Sequence, residues 1–147
     1  PVSALENFNV APVFDRIKVL LPESPPFFDK DQLTDKPARF FVTEIIREKI
    51  LKHYDKEIPY AVEVVVEKFL EEEKIIRIHA VIHVERESQK GIIIGHGGKS
   101  LKKVGTEARK DLEAFFEKKI YLELFVKVEK DWRKKDTALR NFGYQLD

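Results

Sequence analysis

Gly91-Ile92-Ile93-Ile94-Gly95-His96-Gly97-Gly98-Lys99-Ser100-Leu101-Lys102-Lys103 is the stretch on which the fold turns. An apolar run ends at a glycine break, and lysines and leucines at helical spacing follow. The spacing predicts a short helix over about Ser88–Ile94, a loop over Gly95–Gly98, and a long helix over about Lys99–Lys118. Val104, Ala108, Leu112 and Phe115 fall on one side of the long helix and are expected to be buried.

Strand patterns lie on both sides of this unit. Before it, Tyr60, Val62, Val64 and Val66 alternate with Glu63 and Glu67, and Ile76, Ile78, Ala80, Ile82 and Val84 alternate with Arg77, His79 and His83. After it, Ile120, Leu122, Leu124, Val126 and Val128 alternate with Tyr121, Glu123 and Lys127. Alternation of this kind implies a sheet with one buried and one wet face. A short acidic link, Glu71–Lys74, makes the first two strands an antiparallel pair. The two-helix crossover brings the third strand in parallel to the second. Ahead of the strands a helix is expected to start near Asp35, which can cap it, with Pro37 in its first turn. Its stripe is Val42, Ile45, Ile46 and Ile50, running to about His53. The order helix–strand–strand–helix–helix–strand is an α+β fold, with helices on one face of a three-stranded mixed sheet.

The ends are different in character. Val13, Phe14, Ile17, Leu20 and Leu21 predict an N-terminal helix with one buried face, and Pro22-Glu23-Ser24-Pro25-Pro26 stops it. Asp136–Phe142 reads as a small terminal helix that Gly143 can end. The chain therefore divides into residues 1–21, a linker over 22–36, a main domain over 37–130, and a C-terminal helix and tail over 131–147.

Composition bounds the function. The 147 residues are 43% hydrophobic and include 11 Phe, enough for a real core, and 36% are charged. Cysteine is absent, which excludes disulfides and thiolate metal sites. No apolar run reaches membrane-spanning length, and no secretory signal is evident, which fits a cytoplasmic protein. Methionine is absent and the chain opens on Pro1, so a piece of a longer polypeptide is expected. Net charge is only +1, but it is unevenly spread: Lys99, Lys102, Lys103, Arg109 and Lys110 face a single acid, Glu107, between Gly97 and Lys110.

That distribution points to the glycine loop. Glycines lack Cβ, so a phosphate can approach the main chain. The long helix begins just beyond, and its free N–H groups and positive dipole end attract anions. Lys99, Lys102 and Lys103 add mobile positive charge, to which His96 can add part of a charge. The preceding isoleucines offer an apolar wall for bases. Two competing phosphate motifs fail on spacing. A Walker loop ending at Gly98-Lys99-Ser100 needs glycine at position 93, which is Ile. A dinucleotide fingerprint from Gly95 needs glycine at position 100, which is Ser.

No nucleophile–base pair stands out, so no catalytic residue is assigned. His79 and His83 are four residues apart on one strand face, about 13 Å, too far to share a metal, so they are taken as surface polar residues. Trp132 and Tyr144 are expected to pack the terminal helix rather than stack on bases. Lys127, Lys130, Arg133, Lys134 and Lys135 are mixed with acids and read as a solvated face, with a second RNA contact as the alternative.

The loop between two helices inside a strand–helix–helix–strand unit matches the KH signature, in which a GXXG loop clamps about four nucleotides of single-stranded backbone. The rest of the chain strengthens the match. Thr34-Asp35-Lys36-Pro37-Ala38-Arg39-Phe40, Glu44-Ile45-Ile46-Arg47-Glu48-Lys49, the Gly91–Lys99 run, Gly105-x-x-Ala108-Arg109-Lys110-Asp111-Leu112-Glu113 and Val126-Lys127-Val128 with Trp132 resemble the RNA-binding domain of the Era family of bacterial ribosome-assembly GTPases. Val2-Ser3-Ala4 looks like that family's last guanine-recognition motif, which would make residues 1–21 the end of a GTPase domain and Ser3 and Ala4 a remnant of its nucleotide site.

The resemblance implies a type II KH domain that binds the single-stranded 3′ end of 16S rRNA during assembly of the 30S subunit. Gly95, His96, Gly97, Gly98, Lys99, Ser100, Lys102 and Lys103 would hold phosphates, and a groove beside Ile93, Ile94 and Leu101, closed by the third strand, would read bases. It also implies GTP and Mg as cofactors of a full-length protein, contact with its own GTPase domain, and peripheral membrane association. The Walker loop, switch regions and Asn-Lys-x-Asp motif are not in these residues, so the chain itself is expected to be no enzyme and to hold no cofactor. The alternative is a protein-docking module with a KH-like fold that lacks RNA binding.

Overall fold

The strand alternation is realised as a sheet of three strands in the order β1-β2-β3. The computed structural model describes residues 1–25 and 37–142. β1 (Val62–Glu71) and β2 (Ile75–Val84) are antiparallel, and β3 (Lys119–Val128) lies parallel to β2, Ile76 beside Ile120 and Val84 beside Val128. Three helices supply the apolar layer: α2 (Ala38–His53), α3 (Glu87–Ile94) and α4 (Lys99–Phe116), numbered after α1 (Val10–Leu20). Val42, Ile46 and Ile50 from α2, Ile93 from α3, and Val104, Ala108 and Leu112 from α4 pack on the inward side chains of the sheet. The α+β order and mixed topology are those the sequence predicts.

The chain falls into two units, Pro1–Asp35 and Lys36–Asp147. In the first, Ser3 and Phe8 form an isolated bridge and α1 follows. The face expected to be buried is exposed: Phe14 is 60% and Leu20 65% accessible, and α1 buries no residue. An amphipathic stripe specifies that a helix needs a partner, not that one lies within reach. The Asp35 cap and most of the proposed linker fall outside the described residues, as do Gly143 and Tyr144. α2 starts after Pro37, whose missing N–H costs nothing at that position.

In the second unit the strand pattern departs from simple alternation at three places. Tyr60 is not in β1. It ends the 3-10 turn Ile58–Tyr60, in which Pro59 cannot serve a ladder, and it is 74% exposed. A bulge between Val66 and Lys68 adds a residue to β1, so Phe69 rather than Lys68 turns inward and meets Phe116 with ring centroids 5.9 Å apart. Arg39 Nη1 donates to the Val66 carbonyl at 2.9 Å, beside that irregularity. Glu63, assigned to the wet face, is 6% exposed, with its carboxylate 3.7 Å from Arg47 Nη1.

The outer face is only partly wet. Beyond β3, the 3-10 turn Trp132–Lys134 and α5 (Asp136–Asn141) fold back, and the Glu129 N–H continues the ladder to the Val84 carbonyl at 2.8 Å. Trp132 is buried, edge-on to Phe142, and Phe142 sits 4.8 Å from the His83 ring. His83 is therefore no surface histidine: burial holds its imidazole below the ordinary range, and its Nδ1 has no hydrogen-bond partner among the described residues. Phe115 also differs from expectation. It overhangs the core, half exposed, stacked on Phe41 at 4.9 Å.

Candidate nucleic-acid interface

The glycine loop is held from behind. α3 begins where the Gln89 carboxamide accepts the N–H groups of Glu85 (2.9 Å) and Arg86 (3.0 Å). It ends with the Gly95 N–H on the Gly91 carbonyl and the Tyr54 hydroxyl donating to the Ile93 carbonyl at 2.7 Å. That bond satisfies a carbonyl that a helix end would otherwise leave unpaired. It ties the end of α2 to the residue two before the loop.

Burial pushes the Tyr54 phenol up to about 12. A folded value above the unfolded one (about 10) means the stabilisation is complete below about pH 10 and is lost as pH rises towards the folded value. Between pH 10 and 12 the protein is expected to lose about 1–2 kcal/mol that the Tyr54→Phe variant does not lose. Tyr54→Phe itself costs about 1 kcal/mol at neutral pH. Urea midpoints measured across that range for both proteins check this, and parallel pH slopes would exclude it.

The isoleucines preceding the loop have separate fates, because successive helical residues point about 100° apart. Ile93 is 0% exposed and belongs to the core, so it offers no surface to a base. Ile94 is partly buried against that core, and Ile92 projects outward, 51% exposed.

The loop glycines are of two kinds. Gly95 has φ 71 and ψ 178, a region essentially closed to other residues. A Cβ there would lie 2.7 Å from Ser100 Cβ and 3.1 Å from Ser100 N, so this glycine lets α4's first turn pack beneath the loop. Gly97 (φ 58) and Gly98 (φ 76) are left-handed, but a Cβ on either would meet nothing within 4 Å. Their space is open, as a backbone-approaching ligand requires. No side chain caps α4. Lys99, Lys102, Lys103 and His96 are exposed, and none of their side chains has an ion pair or hydrogen bond among the described residues. Glu107, the one acid in this run, is occupied by His53, 2.6 Å away, and that hydrogen bond holds its carboxyl below the usual range.

Beside the loop, α4 and β3 enclose an open groove of about 350 Å³. Leu101, Leu122 and Leu124 give it apolar walls, and Gly98 and Lys102 join it to the loop. At Gly105 a Cβ would lie 3.4 Å from Leu124 Cδ1, so glycine keeps the groove clear. Thr106 and Arg109 form its polar side. Leu101, expected beside this groove, lines it, and the third strand, expected to close it, does so through Leu122 and Leu124; Gly105, Thr106 and Arg109 were not singled out as lining. The i, i+4 relation of Leu101 to Gly105 and of Lys102 to Thr106 carried that signal.

The other candidates lie elsewhere. Ser3 exchanges backbone hydrogen bonds with Phe8 (3.1 and 2.9 Å), and its hydroxyl accepts the Glu6 N–H at 3.2 Å. Several C-terminal cations are matched by acids: Lys127 with Glu67 (3.0 Å), Arg133 with Glu85 (3.0 Å), and Lys135 with Glu129 (3.4 Å). Such pairing is that of a solvated face. His79 meets Glu67 at 3.2 Å, and among the described residues no group of three or more His, Cys, Asp or Glu is arranged to hold a metal ion. Also among the described residues, no helix is long and apolar enough to cross a membrane.

Residues 57–133 match the family model of the KH domain. The chain is 51% identical over 148 residues to the GTPase Era of Staphylococcus haemolyticus (strain JCSC1435), a match covering 100% of this chain and 50% of that protein. Its fold is similar to the crystal structure of Aquifex aeolicus Era bound to GDP·AlF4−, with TM-score 0.91 and 38% identity, over 99% of this chain and 50% of that one. It is also similar to Era in complex with MgGDPNP and nucleotides 1506–1542 of 16S ribosomal RNA, with TM-score 0.90 and 38% identity, over 99% of this chain and 49% of that one. The chain thus spans about half the length of the relatives it matches.

Proposed function

Since the chain belongs to the KH domain family, we propose that it binds single-stranded RNA, with the 3′ end of 16S rRNA as its target, as the RNA-binding part of an Era-like GTPase acting in assembly of the 30S subunit. The observation that carries the reading is the open Gly97–Gly98 backbone at the uncapped start of α4, flanked by unpaired lysines and continuous with an apolar groove. The Era structure with 16S rRNA nucleotides supports the choice of RNA. Gly95–Gly98, His96, Lys99, Ser100, Lys102 and Lys103 hold the phosphates. Ile94 and Leu101, with the Leu122 and Leu124 wall, carry the bases. Residues 1–21 are read as the end of a GTPase domain, with Ser3 and Ala4 its contribution to a guanine site. GTP and Mg then belong to the longer protein and not to this chain, which has no catalytic role of its own. A cytoplasmic location follows from that work.

Fluorescence anisotropy with a labelled RNA copying the 16S 3′ end tests this, run beside a scrambled RNA and the matching DNA. Preference for the ribosomal RNA is expected. Equal binding to all three strands would leave only a basic patch, and no binding by the folded chain would favour a docking module. Changing Lys102 and Lys103 to Glu is expected to weaken binding by at least about tenfold at low salt and to flatten the dependence of log K on log salt, by about 0.7 per lost phosphate contact on single strands. An unaltered slope would put the phosphates elsewhere.

A further inference from the structure

On the side of α4 that faces α2, two acids are held by α2. Lys49, only 4% exposed, is paired with Asp111 and with its own neighbour Glu48 (2.9 Å). One turn further along α2, His53 Nε2 lies 2.6 Å from the Glu107 carboxylate. An ionised carboxylate has no proton to give, so the imidazole donates. Position 53 is four after 49, and position 107 is four before 111, so the two pairs are successive rungs between antiparallel helices. Without its rung Glu107 has another cation at hand. Lys103 is one turn earlier on α4, at the i, i+4 spacing at which opposite charges on a helix meet. The two already feel each other, since Lys103 joins His53 in holding the Glu107 carboxyl below the usual range. They nevertheless form no ion pair, and the Lys103 side chain has no partner among the described residues. The His53 bond keeps the carboxylate turned towards α2. The His53 side chain is 19% exposed, so this bond is better sheltered from water than a surface pair of the kind that Lys103 would offer.

We propose that His53, although it belongs to α2 and lies outside the glycine loop, is a positioning residue for the phosphate site: it holds Glu107 against α2 and so leaves Lys103 free for the RNA backbone. This rests on the RNA-binding reading above and deepens it. Glu107 is the one acid between Gly97 and Lys110, so a single hydrogen bond from a neighbouring helix decides whether that run of cations acts undiminished. A released carboxylate would swing along α4 onto Lys103, and a phosphate would then have to displace it. Lys49 acts in the same direction one rung away, by occupying Asp111.

The test uses the whole chain and a labelled RNA copying the 16S 3′ end, measured by anisotropy at fixed salt and at a temperature where thermal melts show every variant folded. Asparagine puts its amide where the imidazole Nδ1 stands and falls short of Glu107. Glutamine puts its amide where Nε2 stands and keeps the bond. His53→Asn is therefore expected to weaken RNA binding about two- to threefold, the worth of one exposed ion pair on a helix, and His53→Gln to leave it unchanged. Glu107→Gln added to His53→Asn should restore the affinity, because the amide left behind carries no charge for Lys103. A merely structural rung would leave that double variant as weak as His53→Asn. Glu107→Gln alone should gain much less, since its carboxylate is already held. In a Lys103→Gln background, His53→Asn should change nothing. Affinity untouched by His53→Asn, a loss that Glu107→Gln does not restore, an equal gain from Glu107→Gln with and without His53, or the same loss in the Lys103→Gln background would each overturn the positioning role and leave RNA binding standing. If the unsubstituted chain does not bind the RNA, both readings fall together.

Discussion

Aspartate at both Gly97 and Gly98 is expected to weaken RNA binding by at least about 100-fold while the domain stays folded. The two effects separate for a geometric reason. A Cβ at either position meets nothing within 4 Å, so the side chains fit. Each pays for a left-handed φ, about 1–2 kcal/mol for an ordinary residue and less for Asp. Gly98 is the N-cap of α4, a position where Asp is a preferred residue, so part of that cost is offset. The carboxylates, however, stand where phosphates would lie. Two unit charges about 4 Å apart near a protein surface repel by about 4 kcal/mol, more than the roughly 2.7 kcal/mol that 100-fold represents. Gly95→Ala should behave in the opposite way. Its Cβ collides with Ser100, so it should lower the melting temperature and distort the loop. Anisotropy paired with thermal melts distinguishes the two classes. RNA binding that survives both aspartates would remove the loop from the binding site.

Leu112→Ala is expected to destabilise the second unit by about 2–5 kcal/mol without changing RNA affinity well below the melting point. Leu112 is fully buried near the far end of α4, in the cluster that includes Ile46, Ile50 and the sheet. Truncation loses the transfer energy of the removed carbons and leaves a cavity that close packing cannot collapse around. A domain of this size is stable by only about 5–15 kcal/mol, so the loss is a large fraction of the total. The loop and groove lie towards the other end of the helix and keep their geometry as long as the domain is folded. Urea midpoints give the stability, and anisotropy at low temperature gives the affinity. A fall in affinity that tracks the fall in stability would mean that the groove depends on the packing of α4 along its whole length.

The sheet was legible because alternation is a direct consequence of strand geometry, and the mixed topology followed from the length of the crossover. Where the reading failed, something non-local intervened. Phe69 turned inward because of a bulge, which leaves no mark on a period-two pattern until the register is known. Glu63 and His83 looked like solvent-facing residues, yet Arg47 reaches the first and Phe142 covers the second. The loop itself was fully legible, since glycine spacing and lysine placement are local. Its groove was only half so. Consecutive isoleucines cannot all face one ligand, and Ile93 went to the core. Thr106, Arg109 and Gly105 looked like ordinary surface positions of a helix until β3 was placed alongside them. The stripe on α1 announced a partner that the described part of its own unit does not provide.

The parallel pairing of β3 with β2 has a consequence for how the chain acquires its structure in time. The hairpin of β1 and β2 closes through Glu72, Glu73 and Lys74 alone, so it can form early and locally. β3 cannot dock until α3, the loop and α4 have been made and folded across, since non-local pairing must first meet the entropy of closing the intervening segment. Leu122 and Leu124 arrive with that last strand, so a nascent chain that stops before Lys119 carries every loop glycine and lysine but only one wall of the groove. Such an intermediate also leaves one edge of β2 open and part of the apolar side of α4 uncovered, a transient aggregation hazard. Because it is completed last, the groove is present only in the finished fold.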